Sequence, residues 1–218
     1  MFIPLKDLNP RRTYPVVNTT LIVLNFVVFI YELMLPPQLF KIFMTVNAMV
    51  PARIPVWLAG HMTFGAAFLP IVTSMFLHAG WLHILGNMLF LWIFGDNVED
   101  YFGHLGYLFF YFLSGIAAGL LHIIFNLHSS VPALGASGAI SGVMGAYAVL
   151  YPRAKVLTLV LIFLVPIPAI FILGYWFVLQ FLEGVSSLGG MTTGGVAWWA
   201  HIGGFIFGSL LTLAIKRR

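Results

Sequence analysis

The chain has no cysteine and almost no charge. Without cysteine, disulfides, thiolate metal sites and a cysteine nucleophile are all excluded. Only 7% of the 218 residues are charged, against about 25% in a soluble domain. The net charge of +4 does not point to nucleic acid, because the basic residues form short clusters between apolar runs. Low-complexity sequence is missing, and nothing marks a second domain. Hydrophobic residues make up 61% of the chain. A soluble fold of this size lacks the interior to hide so much apolar surface, so lipid must act as solvent for much of it.

A spanning helix needs roughly 20 apolar residues. Six runs are expected to span, at about 16–35, 76–95, 105–125, 137–151, 156–181 and 196–215. Pro166 and Pro168 are expected to bend the fifth. The first run is longer than a signal-peptide core and no small-residue cleavage site follows it, so it reads as a retained span. The expected architecture is therefore an all-α, six-helix membrane bundle with a short fourth helix, one domain over residues 1–218. With both termini cytoplasmic, Lys6, Arg11, Arg12, Arg153, Lys155, Lys216, Arg217 and Arg218 face inward, and only Lys41 and Arg53 face outward. That is the bias of cytoplasmic loops. The long, apolar connection from Pro36 to Ser74 is expected to be a partly helical hairpin in the outer headgroup region.

Polar groups inside spans are costly and are functional candidates by default. His83 and Asn87 lie in the second run, Ser137 opens the fourth, and His201 lies in the sixth. The fourth run is only ~22 Å long at helical rise, against a hydrocarbon core of about 30 Å. With Arg153 and Lys155 at its cytoplasmic end, Ser137 must sit roughly 8 Å below the outer surface. By the same rise His201 is roughly 8 Å down and His83 roughly 10 Å. Three spans thus bring polar side chains to one level, where a helix starting below the surface requires a wet or protein-lined cavity.

Gly135-Ala136-Ser137-Gly138 gives the serine small neighbours and a helix start whose unpaired N–H groups suit an oxyanion. Gly138 and Gly142 in the fourth run, and Gly204 and Gly208 in the sixth, are small-residue pairs that permit close helix packing. If those faces meet, Ser137 and His201 come within hydrogen-bond reach. His83 and Asn87 share a helix face and can donate to an oxyanion. A metal held by His78, His83 and His201 is the lesser alternative, because no His-Glu-x-x-His run exists. Asp96, Glu99 and Asp100 cluster at the cytoplasmic exit of the second span. Glu32 and Glu183 are expected in solvated headgroups. No carboxylate is placed near His201, so a Ser–His dyad is expected, with Ser141 a candidate partner for the imidazole.

Together these residues resemble the rhomboid family of intramembrane serine proteases. The matching motifs are His83-Ile-Leu-Gly-Asn87, Gly135-Ala136-Ser137-Gly138, and Ala200-His201-Ile202-Gly203-Gly204 with Gly208. Gly95, Glu99 and Gly103 match a further glycine–glutamate signature. The resemblance implies Ser137 as nucleophile and His201 as general base. It implies an oxyanion hole from His83, Asn87 and the Ser137 N–H. The substrates would be spanning helices of other membrane proteins, cut near the outer face without a cofactor. It also implies a flexible cap at Gly184–Gly195 and a fifth span flanking the lateral way in. Two positions depart from the pattern. Ser141 stands where some members have a tyrosine stacked on the histidine, and Trp57 is not adjacent to an arginine in the first loop. A catalytically inactive, client-binding relative in membrane quality control is the alternative. A small-solute transporter would need buried charges along a path. If the source is bacterial, the membrane is the inner one.

Overall fold

The computed structural model describes residues 2–188 and 196–216. Nine α-helices and three strands are present among the described residues. They are β1 (Phe2–Asp7), α1 (Val16–Met34), α2 (Pro37–Asn47), α3 (Arg53–Leu58), α4 (Phe64–Thr73), α5 (Trp81–Phe102), α6 (His104–Phe125), α7 (Ser137–Leu150), β2 (Lys155–Val160), β3 (Phe163–Pro168), α8 (Ala169–Leu188) and α9 (Trp198–Ile215). Four of the helices, α1, α6, α8 and α9, are long and apolar enough to cross a membrane. A fifth span arises if the pair Phe64–Phe76 and Trp81–Phe102, bent by 79°, counts as one. The short α7 sits inside the bundle, packed chiefly against α9, α6 and α5.

Two expectations fail here. The fold is not all-α, and the first half of the expected fifth span is not helical. Residues 155–168 form a hairpin that joins β1 in an antiparallel sheet of order β1-β2-β3. Hydropathy does not distinguish strand from helix, but local chemistry does. Val156, Thr158 and Val160 alternate and are β-branched, and Val156 and Thr158 are buried. Pro166 and Pro168 lack the N–H a helix needs, yet an edge strand tolerates them. Helix resumes at Ala169, directly after Pro168.

The second span is also displaced. It starts at Trp81 because Gly80 is extended (φ 162°, ψ 177°), and it runs on through Asp96, Glu99 and Asp100. Each of these acids has a partner. Glu99 accepts the N–H groups of Val17 (2.9 Å) and Asn18 (2.7 Å) at the start of α1, where the helix dipole favours an anion. Asp100 accepts from Arg12 and Thr13 N–H, and Asp96 pairs with Arg11. Gly95 leaves room for the Asn18 side chain, which a Cβ would overlap. Asn18 in turn donates to the Leu91 carbonyl and accepts from Tyr107.

The first connection is helical, as expected, but as three helices, α2 to α4. Arg53 donates to the carbonyls of Thr45, Val46 and Ala48, closing the C-terminal end of α2. Thr63 caps α4 through the Ala66 N–H. The core under the site joins Ile84, Leu91, Phe94 and Val98 of α5 to Val143 and Tyr147 of α7.

Candidate active site

The segment before Ser137 is fastened on two sides. Met49 and Ala133 exchange both backbone hydrogen bonds (3.1 and 2.7 Å), and the Gly135 N–H donates to the Ser74 carbonyl (2.9 Å). Gly135 has φ +119°, a conformation that L side chains rarely adopt. A Cβ there would lie 2.7 Å from Nε2 of His83. Glycine is thus required at this position twice over. The chain then enters α7 at Ser137, whose N–H belongs to the unpaired first turn.

The α7 and α9 faces do meet. A Cβ on Gly204 would overlap the Gly138 carbonyl oxygen, and one on Gly208 would overlap the Gly142 carbonyl. At that approach Ser137 Oγ and His201 Nε2 are 2.8 Å apart. The other ring nitrogen, Nδ1, lies 2.6 Å from Oε1 of Gln180 on α8. An amide oxygen only accepts, so Nδ1 carries the hydrogen and Nε2 is left to accept from the Ser137 hydroxyl. Sequence reasoning missed Gln180. Its available signal was an amide in an otherwise apolar run. The Ser141 idea fails, because its hydroxyl donates to the Ser137 carbonyl (2.6 Å) instead of the ring. Trp176 and Trp198 flank the imidazole, with ring centroids 5.8 and 6.1 Å away.

His83 and Asn87 stand on the α5 face opposite. His83 Nδ1 accepts the Ala79 N–H (3.3 Å), which leaves Nε2–H to donate toward the loop at Gly135. Asn87 Nδ2 lies 3.0 Å from His78 Nε2 and has a second hydrogen to give. Two cavities meet at these groups, both lined by His83, Asn87, Ser137 and His201. One, of about 430 Å³, opens beneath Pro132–Leu134 and Val196. The other, of about 230 Å³, extends between α5 and α8, past Phe90 and Trp176. The three histidines considered as metal ligands are each turned to a different partner. Glu32 is not in solvent: it is 2% exposed, and Oε2 accepts the His78 N–H at 3.4 Å. Glu183 is exposed, as expected. Of the expected cap, Gly184–Leu188 ends α8, while residues 189–195 lie outside the described residues.

A model of the Rhomboid domain matches residues 65–218, which include every residue of this site. The chain belongs to the rhomboid family. Curated rhomboids align with it at about one residue in three. Mitochondrial rhomboid protein 1 of Saccharomyces cerevisiae is 34% identical over 147 residues, covering 64% of this chain and 40% of that protein. RHOMBOID-like protein 12, mitochondrial, of Arabidopsis thaliana is 31% identical over 167 residues, 67% of this chain and 46% of its own length. Rhomboid protease GluP of Bacillus subtilis is 32% identical over 126 residues, 57% of this chain and 24% of its own. The chain spans less than half the length of these relatives. Family membership and the apolar helices together make it an integral membrane protein.

Proposed function

We propose that this rhomboid is an intramembrane serine endopeptidase working through a Ser137–His201 dyad. The carrying observation is the 2.8 Å contact between Ser137 Oγ and His201 Nε2 at the junction of two cavities. In this reading Ser137 attacks the scissile carbonyl while Nε2 takes its proton. The developing oxyanion receives hydrogen bonds from His83 Nε2–H, Asn87 Nδ2–H and the Ser137 N–H. His201 then returns the proton to the leaving amine, and water admitted through the cavity repeats the sequence on the acyl-enzyme. The substrate is the spanning helix of another protein, locally unwound to reach the serine and admitted between α5 and α8. We read the bundle as six spans, counting the bent pair and α7, with both termini cytoplasmic and the site opening outward. In a bacterium this is the inner membrane.

The test is cleavage of a protein with one spanning helix in reconstituted vesicles. Cleavage is expected from the native chain and should fall by on the order of 10³-fold or more in Ser137→Ala and His201→Ala. A fluorophosphonate should label the native serine only. Equal cleavage by native and Ser137→Ala protein would end the reading. Neither cleavage nor labelling by the native chain would favour an inactive, client-binding rhomboid.

A further inference from the structure

We propose that Gln180 is a positioning residue: it fixes the tautomer of His201, and thereby makes the dyad's competence depend on where α8 sits. The inference rests on the protease reading above and goes beyond it by naming what holds the base. An imidazole acts as base toward Ser137 only if Nδ1 carries the hydrogen. Tautomer choice is set by what Nδ1 meets, and it meets Gln180 Oε1 at 2.6 Å. Among the described residues, no other group bonds Nδ1. Ser141 is committed to the Ser137 carbonyl. Trp176 and Trp198 meet the imidazole through ring contacts, with centroids 5.8 and 6.1 Å away, and their indole N–H groups make no hydrogen bond to it among the described residues. The titratable groups facing His201 from other elements are His83 on α5 and His122 on α6, and neither bonds Nδ1.

Gln180 is 8% exposed, and no charged or second amide side chain lies between Val156 and Phe181. A buried amide in that setting must find a partner, and among the described residues that partner is His201. Trp176 stands one turn before Gln180 on the same helix and lines the cavity between α5 and α8. Both side chains that address the ring from this direction therefore ride on one helix. If α8 leans away, the acceptor leaves with it. The amide can also turn over. Its NH₂ would then donate to Nδ1, move the hydrogen to Nε2 and disarm the base. A carboxylate at this position cannot do that, because it only accepts.

The experiment compares native, Gln180→Leu and Gln180→Glu full-length protein in vesicles. It reads kcat and KM separately, the pH–rate profile, the rate of fluorophosphonate labelling, and the ¹⁵N shifts of His201. Gln180→Leu should lower kcat by on the order of 10- to 100-fold with KM within about twofold, and slow labelling in parallel. Its ¹⁵N shifts should show Nε2–H gaining population. Gln180→Glu should keep kcat within about threefold and move the acidic limb of the profile upward by about one pH unit, because a carboxylate favours the imidazolium. A merely structural Gln180 would lower the folded fraction in both variants and leave limb and tautomer unmoved. Native kcat and native ¹⁵N shifts in Gln180→Leu would overturn the proposal. If Gln180→Leu fails to fold, an unmoved limb in Gln180→Glu overturns it equally. If the native protein neither cleaves nor labels, the protease reading falls, and the tautomer comparison still decides whether Gln180 orders the ring.

Discussion

The α7–α9 contact and the α8 contact hold the same histidine by opposite means. Between α7 and α9, backbone meets backbone. The carbonyls of Gly138, Gly142 and Phe205 occupy the space where Cβ atoms of Gly204, Gly208 and Gly145 would be. In lipid no hydrophobic force draws helices together, so such close van der Waals packing is what fixes them. On α8 the glycines are spaced differently. A Cβ on Gly174 would touch nothing, and one on Gly184 would meet the end of the Ile202 side chain at 2.8 Å. Much of α8 is exposed, including Phe171, Tyr175 and Phe181. Ser137 and His201 thus sit on two helices locked by close backbone packing. Gln180, which meets the His201 ring from the other side, sits on a helix held by side chains, which can yield.

The strongest way to break that contrast is to add a methyl group on the rigid side. Gly204→Ala must push the Gly138 backbone, which has nowhere to go. It should destabilise the protein by about 3 kcal/mol, read as an earlier unfolding transition, and abolish cleavage. Gly208→Ala, against the Gly142 carbonyl, should behave alike. Full stability in either variant would show that the two helices slide freely. Next in size is Gly135→Ala. It forces a non-glycine residue to φ +119° and drives a Cβ into the His83 ring. We expect on the order of 100-fold lower kcat through the displaced oxyanion donor, with the Ser137–His201 distance retained. Unchanged kcat would remove His83 from the mechanism.

The yielding side should respond in the other direction. Gly174→Ala adds a helix-favouring methyl where space is open. It should stabilise the protein by about 0.5–1 kcal/mol and leave kcat within twofold. A loss of stability there would show that α8 is packed as closely as α9.

What the sequence allowed to be read follows the same divide. Ser137, His201, His83, Asn87 and the four glycines stood out as candidates that the structure brings together, because a hydroxyl, an imidazole or a patterned glycine is conspicuous in an apolar helix. The α1, α6, α7 and α9 boundaries fell within about two residues of expectation. The β2–β3 hairpin was hidden because Leu157 to Val165 is as apolar as any span; only β-branching and the two prolines mark it. Gln180 was hidden for another reason. Its depth along the span depends on where α8 starts, and that start was misplaced by the hairpin. Glu32 looked solvated because its depth was counted along α1 alone, without the 74–80 segment that covers it.

The smallest expected effect lies in the sheet, far from the dyad. Asp7 on β1 accepts from the Asn9 N–H and from Asn97 Nδ2, each at 2.8 Å. Burial nevertheless outweighs these bonds and pushes its carboxyl from 3.8 up to about 6. A raised carboxyl means that the docked strand prefers the protonated acid. Its contribution is therefore fully present below about pH 4 and is lost as pH rises through about 6. The β1–β2 ladder should exchange its amides more slowly at pH 5 than at pH 7.5, after correction for intrinsic rates. Asp7→Asn should erase that difference while leaving cleavage within about twofold. Because β3 runs straight into α8, the same variant also asks whether the sheet helps seat that helix. A cleavage rate that followed β1 protection with pH would place the sheet, together with Gln180, among the groups that set the base. Protection that ignored Asp7 altogether would leave the sheet a separate unit and confine the adjustable part of the molecule to α8.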